Sequence, residues 1–445
     1  MKRVLIITYY WPPSGGSGVQ RWLKFAKYLP QFGWKPVIYT PLNPEANATD
    51  EALLKDVSPD TEVIKRKIVE PYGIYKRLLG KKDTPIKANI ISNGENKSLM
   101  HKLSMFIRGN LFIPDPRCWW IGPSVRFLKK YLREHPVDAI VSTGPPHSMH
   151  LIARRVSRAT GIEWIADFRD PWTEIFFFKH LNLSKWACKR HHKLEQSVLD
   201  DANRIVVVSE KMREDFAGRT STPVEIITNG FDPEDFALQE MPASNANMSP
   251  DRKFRLVHTG IMVDNGNPDM LWSVLGEMAK RDEEFRKSLE IRTMGQTDRS
   301  IVNDICKNGL EENFVDMGYV AHNEAIRWQK MADLLLLPLR KEPESAAILT
   351  GKFFEYVAAG APILAFGPRE SNLATELKES GSGIICEWTD REAITDAIDN
   401  AYRRFLQQEA DESQKALTKA QLKYSRKTLT GQLSGLLNSL NNLTK

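Results

Sequence analysis

The sequence predicts an α/β protein built on parallel sheets, and three observations carry that prediction. Short apolar runs alternate with helical stretches almost from end to end, the rhythm of strand–helix–strand units. The first run, Val4-Leu5-Ile6-Ile7, has no polar alternation, as in a strand buried on both faces. The same pattern of strand followed by glycine turn restarts at Phe254–Gly260, after a polar stretch at 242–250 that reads as a linker. Two such sets in succession predict two Rossmann-like domains facing a cleft, one over 1–240 and one over 241–426.

In chain order, strands are expected at Arg3–Thr8, Pro36–Tyr39, Thr61–Lys65, Ala139–Ser142, Trp164–Asp167, Arg204–Val208 and Val224–Ile227. The second set is expected at Phe254–Thr259, Leu289–Met294, Phe314–Met317, Leu334–Pro338, Ile363–Ala365 and Gly383–Cys386. Within the first set, between the strands at Thr61–Lys65 and Ala139–Ser142, the basic stretch from Tyr72 to Trp120 interrupts the rhythm. Its apolar residues Leu99, Met100, Leu103, Phe106, Ile107, Leu111 and Phe112 fall on one helical face. That stretch is either an insertion that binds acceptor or touches a membrane, or a helix pair that packs into the core.

Bulk properties narrow the class. At 445 residues, with 42% apolar and 27% charged side chains, the chain is long enough for two cores and far from disordered composition. The formal charge of +6 is modest but uneven, with Lys65, Arg66, Lys67, Lys76, Arg77, Lys81 and Lys82 crowded together. Such a cluster either attracts anions or forms a solvated loop face. Cys118, Cys188, Cys306 and Cys386 lie far apart without metal-ligand spacing, which fits a reducing compartment. No run reaches membrane-spanning length, and the N-terminus enters a strand without signal-peptide character. A cytoplasmic protein is the expectation, and nucleic acid is not an expected partner.

Ligands of open parallel sheets bind beyond the carboxyl ends of the strands, and four segments there carry chemistry. In the first, Gly15, Gly16 and Gly18 let the backbone approach a ligand, and a helix from about Val19 turns its free N–H groups toward it. A phosphate or sugar hydroxyl suits that turn. The spacing fits neither the dinucleotide fingerprint nor a P-loop, and an ordinary tight turn is the alternative. In the second, His147 follows a strand end at Ser142–Gly144, where it either meets a substrate or, with Ser148, caps a helix.

The third segment, Asp167-Phe168-Arg169-Asp170, gathers three charges at the end of an apolar strand. They must pair with one another or meet a polar ligand. In the fourth, Thr350 and Gly351 open a helix bearing Lys352 and Glu355 on neighbouring faces of one turn. A lysine at a helix start reaches a diphosphate, and a glutamate one turn on accepts hydrogen bonds from ribose hydroxyls.

Taken together, YYWPPSGGSGVQR, STGPPHSMHLIA, ADFRDPW, TNGFDPEDF and TGKFFEYVAAGAPIL resemble, in this order, the glycosyltransferase group 1 superfamily, the retaining family 4 enzymes of the GT-B fold. The resemblance covers nearly the whole chain. It implies that Gly15 and Gly16 approach the donor diphosphate and the acceptor, and that Arg169 and Asp170 stand near the transferred sugar. It further implies that Gly260, Gly295 and the backbone near Val320 line the nucleotide pocket, with Glu355 on the ribose. The helix at about 427–445 is expected to pack back on the first domain. No metal or cofactor is implied; the substrates are a nucleotide-diphosphate sugar and a hydroxyl acceptor, lipid-linked in a surface-polysaccharide or glycolipid pathway, with peripheral membrane contact through 72–120.

The sequence departs from the family pattern twice. Ala347 stands where the family carries the first acid of a glutamate pair, with Glu344 the nearest substitute. The basic pair after the first strand of the second domain is missing from Gly260–Asn267, which leaves Lys352, helped by Arg340, to neutralise the leaving diphosphate. A non-catalytic sugar-nucleotide-binding member, or an epimerase of the same fold, is the alternative reading.

Overall fold

The structure is a computed structural model that describes residues 1–45, 49–70, 106, 109–175, 178–237, 252–407 and 418–440. Among the expectations, the linker at 242–250 and the greater part of the basic stretch (71–105, 107 and 108) lie outside the described residues. The chain divides into two compact units, Met1–Thr228 with Arg426–Lys445, and Asn229–Ser425.

The first unit holds a seven-stranded parallel sheet in the order β3-β2-β1-β4-β5-β6-β7. Its strands are β1 Lys2–Ile7, β2 Trp34–Pro41, β3 Glu62–Arg66, β4 Ala139–Gly144, β5 Trp164–Phe168, β6 Arg204–Val207 and β7 Val224–Ile226. Val4, Leu5, Ile6 and Ile7 are all fully buried because helices cover both faces, which is why that run shows no alternation. The helices that bear on the site are α1 (Ser17–Tyr28), α2 (Ser148–Thr160) and α3 (Lys185–Asp201). Helix α1 begins at Ser17, ahead of the expected Val19, since Gly16 at φ 93° turns the chain directly into it.

The second unit repeats the plan with six parallel strands in the order β10-β9-β8-β11-β12-β13. These are β8 Phe254–Thr259, β9 Leu289–Met294, β10 Phe314–Asp316, β11 Leu334–Pro338, β12 Ile363–Phe366 and β13 Gly383–Cys386. Its relevant helices are α4 (His322–Lys330) and α5 (Gly351–Ala359). Phe231 and Phe236 are buried in the apolar cluster beneath α5, so the segment after Thr228 belongs with this unit. The last helix, α6 (Arg426–Leu440), buries Leu429, Leu433 and Leu437 against Val19, Trp22 and Leu23 of α1 in the first unit.

Each sheet therefore reverses its strand order at one place, between β1 and β4 and again between β8 and β11. Chain leaving neighbouring strands at such a point diverges to opposite faces and opens a crevice at their carboxyl ends. The four chemistry-bearing segments all follow strand ends, three in the first unit and one in the second.

Candidate active site

In the first unit, the turn after β1 ends in Gly16, which caps α1 with no side-chain acceptor, so the first N–H groups of the helix remain available to a ligand. Gly15 and Gly16 therefore stand where the sequence analysis places an anion cradle. Arg169, just past β5, ties this turn to the next segment. Its Nη1 donates to the Gly18 carbonyl at 3.2 Å, its Nη2 to the Pro145 carbonyl, and its guanidinium lies 5.8 Å from the Tyr10 ring. Asp170 follows at an exposed position.

Asp167 takes a different part. Its carboxylate is gripped by Arg21 of α1, at 2.8 Å from Nη2, and also accepts from Trp22 Nε1 at 2.7 Å and Thr143 Oγ1 at 2.8 Å. Burial alone would raise its pKa, but the charge of Arg21 and these hydrogen bonds outweigh that and hold the carboxyl below its usual range. Arg21 extends the network to the carbonyls of Ile227 and Thr228, at 2.8 and 2.7 Å. The internal pair open to the sequence is thus realised with Arg21 as the cation, and Arg169 is held by carbonyls instead.

His147 is buried at the start of α2, stacked on Trp172 with ring centroids 4.6 Å apart and planes 3° from parallel. Burial, and then the neighbouring His150, Arg169 and His191, push its pKa well below the ordinary value, so the imidazole is neutral. Its Nδ1 has no hydrogen-bond partner among the described residues. The α2 N-terminus is satisfied by Asp115, whose carboxylate accepts from Ser148 N at 2.8 Å and Ser148 Oγ at 2.9 Å. Neither His147 nor Ser148 acts as the cap; His147 is left as a neutral hydrogen-bonding group.

In the second unit, the ends of β8, β9 and β10 are drawn together by glycines. Gly260 N donates to Met294 O and Gly295 N to Gly318 O, each at 2.6 Å. A Cβ on Gly295 would stand 2.3 Å from the Gly260 carbonyl oxygen, so only glycine permits this approach. Val320, half-buried, packs on the apolar cluster below. After β11, Arg340 is half-buried, and the next residue, Lys341, donates from its backbone to Asn265 O at 2.6 Å.

Helix α5 supplies the charged groups. Thr350 occupies its N-cap position without capping by its side chain, and the space around Gly351 is open. Lys352 reaches across the β8 turn, with Nζ 3.4 Å from the Ile261 carbonyl. It thereby brings a cation to the loop that lacks one of its own. Burial pulls its pKa down to about 8, against the opposing effect of the Glu355 carboxylate. Glu355 accepts from Gln329 Nε2 of α4 at 3.2 Å, and the same nitrogen lies 3.0 Å from Thr259 Oγ1. Tyr356 completes the brace, its hydroxyl accepting from Thr259 N at 2.9 Å.

The structure thus gathers Gly260, Gly295, Lys352 and Glu355 at the β8 end of one sheet, and Gly16, His147 and Arg169 at the β1 and β4 ends of the other. Arg21 and Gln329 were not singled out in the sequence. Arg21 lies inside the quoted YYWPPSGGSGVQR, and a buried arginine facing a buried aspartate is its only signal; Gln329 has none in its local pattern. Glu344 is exposed, in a short turn whose last residue, Ala347, accepts from Asn372 through its carbonyl at 3.0 Å.

Residues 90–235 match the family model described as Glycosyltransferase Family 4. That match takes in about a third of the chain. No curated protein matches it in sequence. Among solved structures it is similar to a sucrose-phosphate synthase from Thermosynechococcus elongatus, at 12% identity and TM-score 0.64 over 100% of both chains. It is also similar to a glycosyltransferase involved in lipopolysaccharide biosynthesis, at 15% identity and TM-score 0.54 over 98% of this chain and 99% of that one. A third is a trehalose-6-phosphate structure from E. coli bound with UDP-2-fluoro glucose, at 11% identity and TM-score 0.60 over 98% of each. Identities this low establish the fold, two parallel sheets in the GT-B manner, and leave the substrates to be argued from the site.

Proposed function

We propose that this chain is a glycosyltransferase that moves a sugar from a nucleotide-diphosphate sugar to a hydroxyl acceptor with retention of anomeric configuration. The observation that carries the reading is Lys352. It stands at the open N-terminus of α5, over the Gly260–Ile261 turn, one helical turn from a braced carboxylate. A diphosphate there meets an ammonium and free N–H groups, while Glu355 is spaced to accept from ribose hydroxyls. The glycine ends at Gly260 and Gly295, with Val320, Arg340, Thr350 and Gly351, line the same strand ends and complete the donor-binding set.

In the reaction, the bond from the anomeric carbon to the diphosphate oxygen breaks and its electron pair stays on that oxygen. Fixed N–H groups and Lys352 stabilise the charge that develops there, without reorganisation at the moment of reaction. The acceptor oxygen adds to the anomeric carbon from the same face, and its proton passes to the departing phosphate oxygen. Arg169, Asp170 and the neutral His147 orient sugar or acceptor, and Gly15 and Gly16 leave room for them. One relative acts in lipopolysaccharide biosynthesis, and by analogy with it a lipid-linked acceptor of a surface polysaccharide or glycolipid is the class proposed, handled on the cytoplasmic side.

Ala347, in place of the family's first acid, favours a second reading in which the chain binds a sugar nucleotide without transferring it. Nucleotide release from a panel of UDP- and GDP-sugars, with and without hydroxyl acceptors, separates the two. Transfer or slow hydrolysis supports the enzyme, and Lys352→Ala then lowers turnover by about two to three orders of magnitude. Donor binding with neither reaction supports the second reading, and full activity in the variant removes Lys352 from the mechanism.

A further inference from the structure

Helix α3 carries a surface that the sugar chemistry does not use. Its N-terminal half reads Lys185-Trp186-Ala187-Cys188-Lys189-Arg190-His191-His192-Lys193, and its inward residues Ala187 and His191 are buried. Lys185, Lys189 and Lys193 follow one another at helical spacing on the exposed side, with Arg190 beside them. None of these four cations forms an ion pair among the described residues. On the nearby helical segment Glu210–Ala217, by contrast, Lys211 is matched by Asp215 at 2.7 Å and Arg213 by Glu210. Four uncompensated charges on one short face repel one another, so the face is stabilised by an anionic partner.

The same face is also apolar at its tip. Trp186 is 67% exposed, an uncommon position for an indole whose large ring gains most from burial. Beside it, residues 109–111 are tied to the start of α3: Asn110 donates to Asn182 O at 3.2 Å and accepts from Ser184 N at 2.7 Å. That segment presents Leu111, 69% exposed, with Phe106 exposed one turn before it. A rim of lysine and arginine around protruding tryptophan, leucine and phenylalanine is the chemistry of the boundary between lipid headgroups and acyl chains. Apolar tips enter there while long basic side chains reach back to the headgroups. Among the described residues no helix is long and apolar enough to cross a membrane. Contact through this face is therefore superficial.

We propose that the first unit docks on an anionic lipid bilayer through the N-terminal half of α3, with Trp186 and Leu111 inserted at the interface and Lys185, Lys189, Arg190 and Lys193 on the headgroups. The docking is independent of which sugar is transferred, and its test reads lipid binding alone. The full-length protein is sedimented with vesicles of phosphatidylcholine, or of phosphatidylcholine with about a third phosphatidylglycerol, at low and high salt. Binding is expected to the anionic vesicles and to weaken steeply with salt, as the screening length falls from about 10 Å at 0.1 M to about 3 Å at 1 M. Each cation near such a surface is worth about fivefold in partitioning, so Lys189→Glu with Lys193→Glu lowers it by more than about twentyfold.

Trp186→Ala is expected to lower it further while leaving the salt dependence in place. Lys280→Glu with Lys378→Glu makes the same change in net charge on exposed residues of the second unit and is expected to have little effect. Equal losses in the two charge-reversal pairs, equal binding to neutral and anionic vesicles, or no sedimentation of the wild-type chain would each overturn the proposal. Unchanged thermal melting in the α3 variants, all at exposed positions, separates lost docking from lost folding.

Discussion

A Cβ placed on Gly260 would stand 2.3 Å from Lys352 Cε, so the glycine that ends β8 determines where the lysine can lie. Its φ of 106° is also one that a side chain opposes. Gly260→Ala must therefore either push Lys352 off the Ile261 carbonyl or twist the turn. Both outcomes move the ammonium away from the place proposed for the diphosphate. Misplacement by about 1 Å costs on the order of a hundredfold in rate for well-oriented groups. Steady-state kinetics at saturating acceptor are expected to show a fall of about tenfold to a hundredfold in kcat/KM for the donor. Unaltered kinetics would show that the glycine serves only the turn.

Burial brings the Lys352 ammonium down to about 8, so the proposed donor reaction is expected to have an alkaline limb. Below that value the group is charged and attracts a diphosphate; above it the charge is lost. The kcat/KM for the donor in wild type is therefore expected to fall as pH rises through about 8. Bound diphosphate favours the charged form, so the limb in kcat lies at higher pH than the limb in kcat/KM. In Lys352→Arg the guanidinium stays protonated and the limb disappears, whatever the residual rate. A limb that persists unchanged in that variant would belong to another group.

Arg21 and Asp167, each about 1% exposed, form the ion pair that fixes α1 against β5. Taking one partner away leaves the other charge buried. Asp167→Ala is expected to destabilise the first unit by about 3–5 kcal/mol. Urea unfolding of the full chain, fitted with separate transitions for the two units, measures it. The double change of Arg21→Met with Asp167→Leu removes both charges and is expected to cost well under the sum of the single changes. Strict additivity would mean that the two groups do not act as a pair.

The strands were legible because burial on both faces writes itself as an uninterrupted apolar run. Leu334–Pro338 lies where such a run places it, whereas Leu289–Met294, interrupted by Glu290 and Arg292, and the edge strand Gly383–Cys386, with Ile384 exposed, match their expected bounds without one. Both sheets are parallel, as the alternation of strands and helices requires. Boundaries at turns were less legible, since α1 begins two residues before the first apolar periodic position, at a glycine whose left-handed backbone starts the helix. Pairings across long stretches of chain were not legible at all. Asp167 and Arg169 sit together in sequence, yet the aspartate's cation is Arg21, from a helix that precedes it by several strands. Likewise Lys352 serves the end of β8 only because the fold brings α5 over it.

Gln329 is the residue of the proposed donor site that local pattern least suggests. It is fully buried on α4, and its Nε2 lies within hydrogen-bond reach of both Thr259 Oγ1 and Glu355 Oε2. The amide thus aims the Glu355 carboxylate without any contact of its own with the proposed ribose. Gln329→Leu keeps the volume but leaves the carboxylate without this donor. A buried polar group deprived of one partner costs about 1–3 kcal/mol, part in stability and part in the geometry it held. The donor KM is expected to rise by about fivefold to thirtyfold while kcat stays within about twofold, because in the proposed mechanism the leaving phosphate meets Lys352 and not Glu355. Glu355→Ala should raise KM further, and adding Gln329→Leu to it should then change KM little, since the amide acts on KM only through that carboxylate. A loss confined to thermal stability, with both kinetic constants intact, would make Gln329 a packing residue alone.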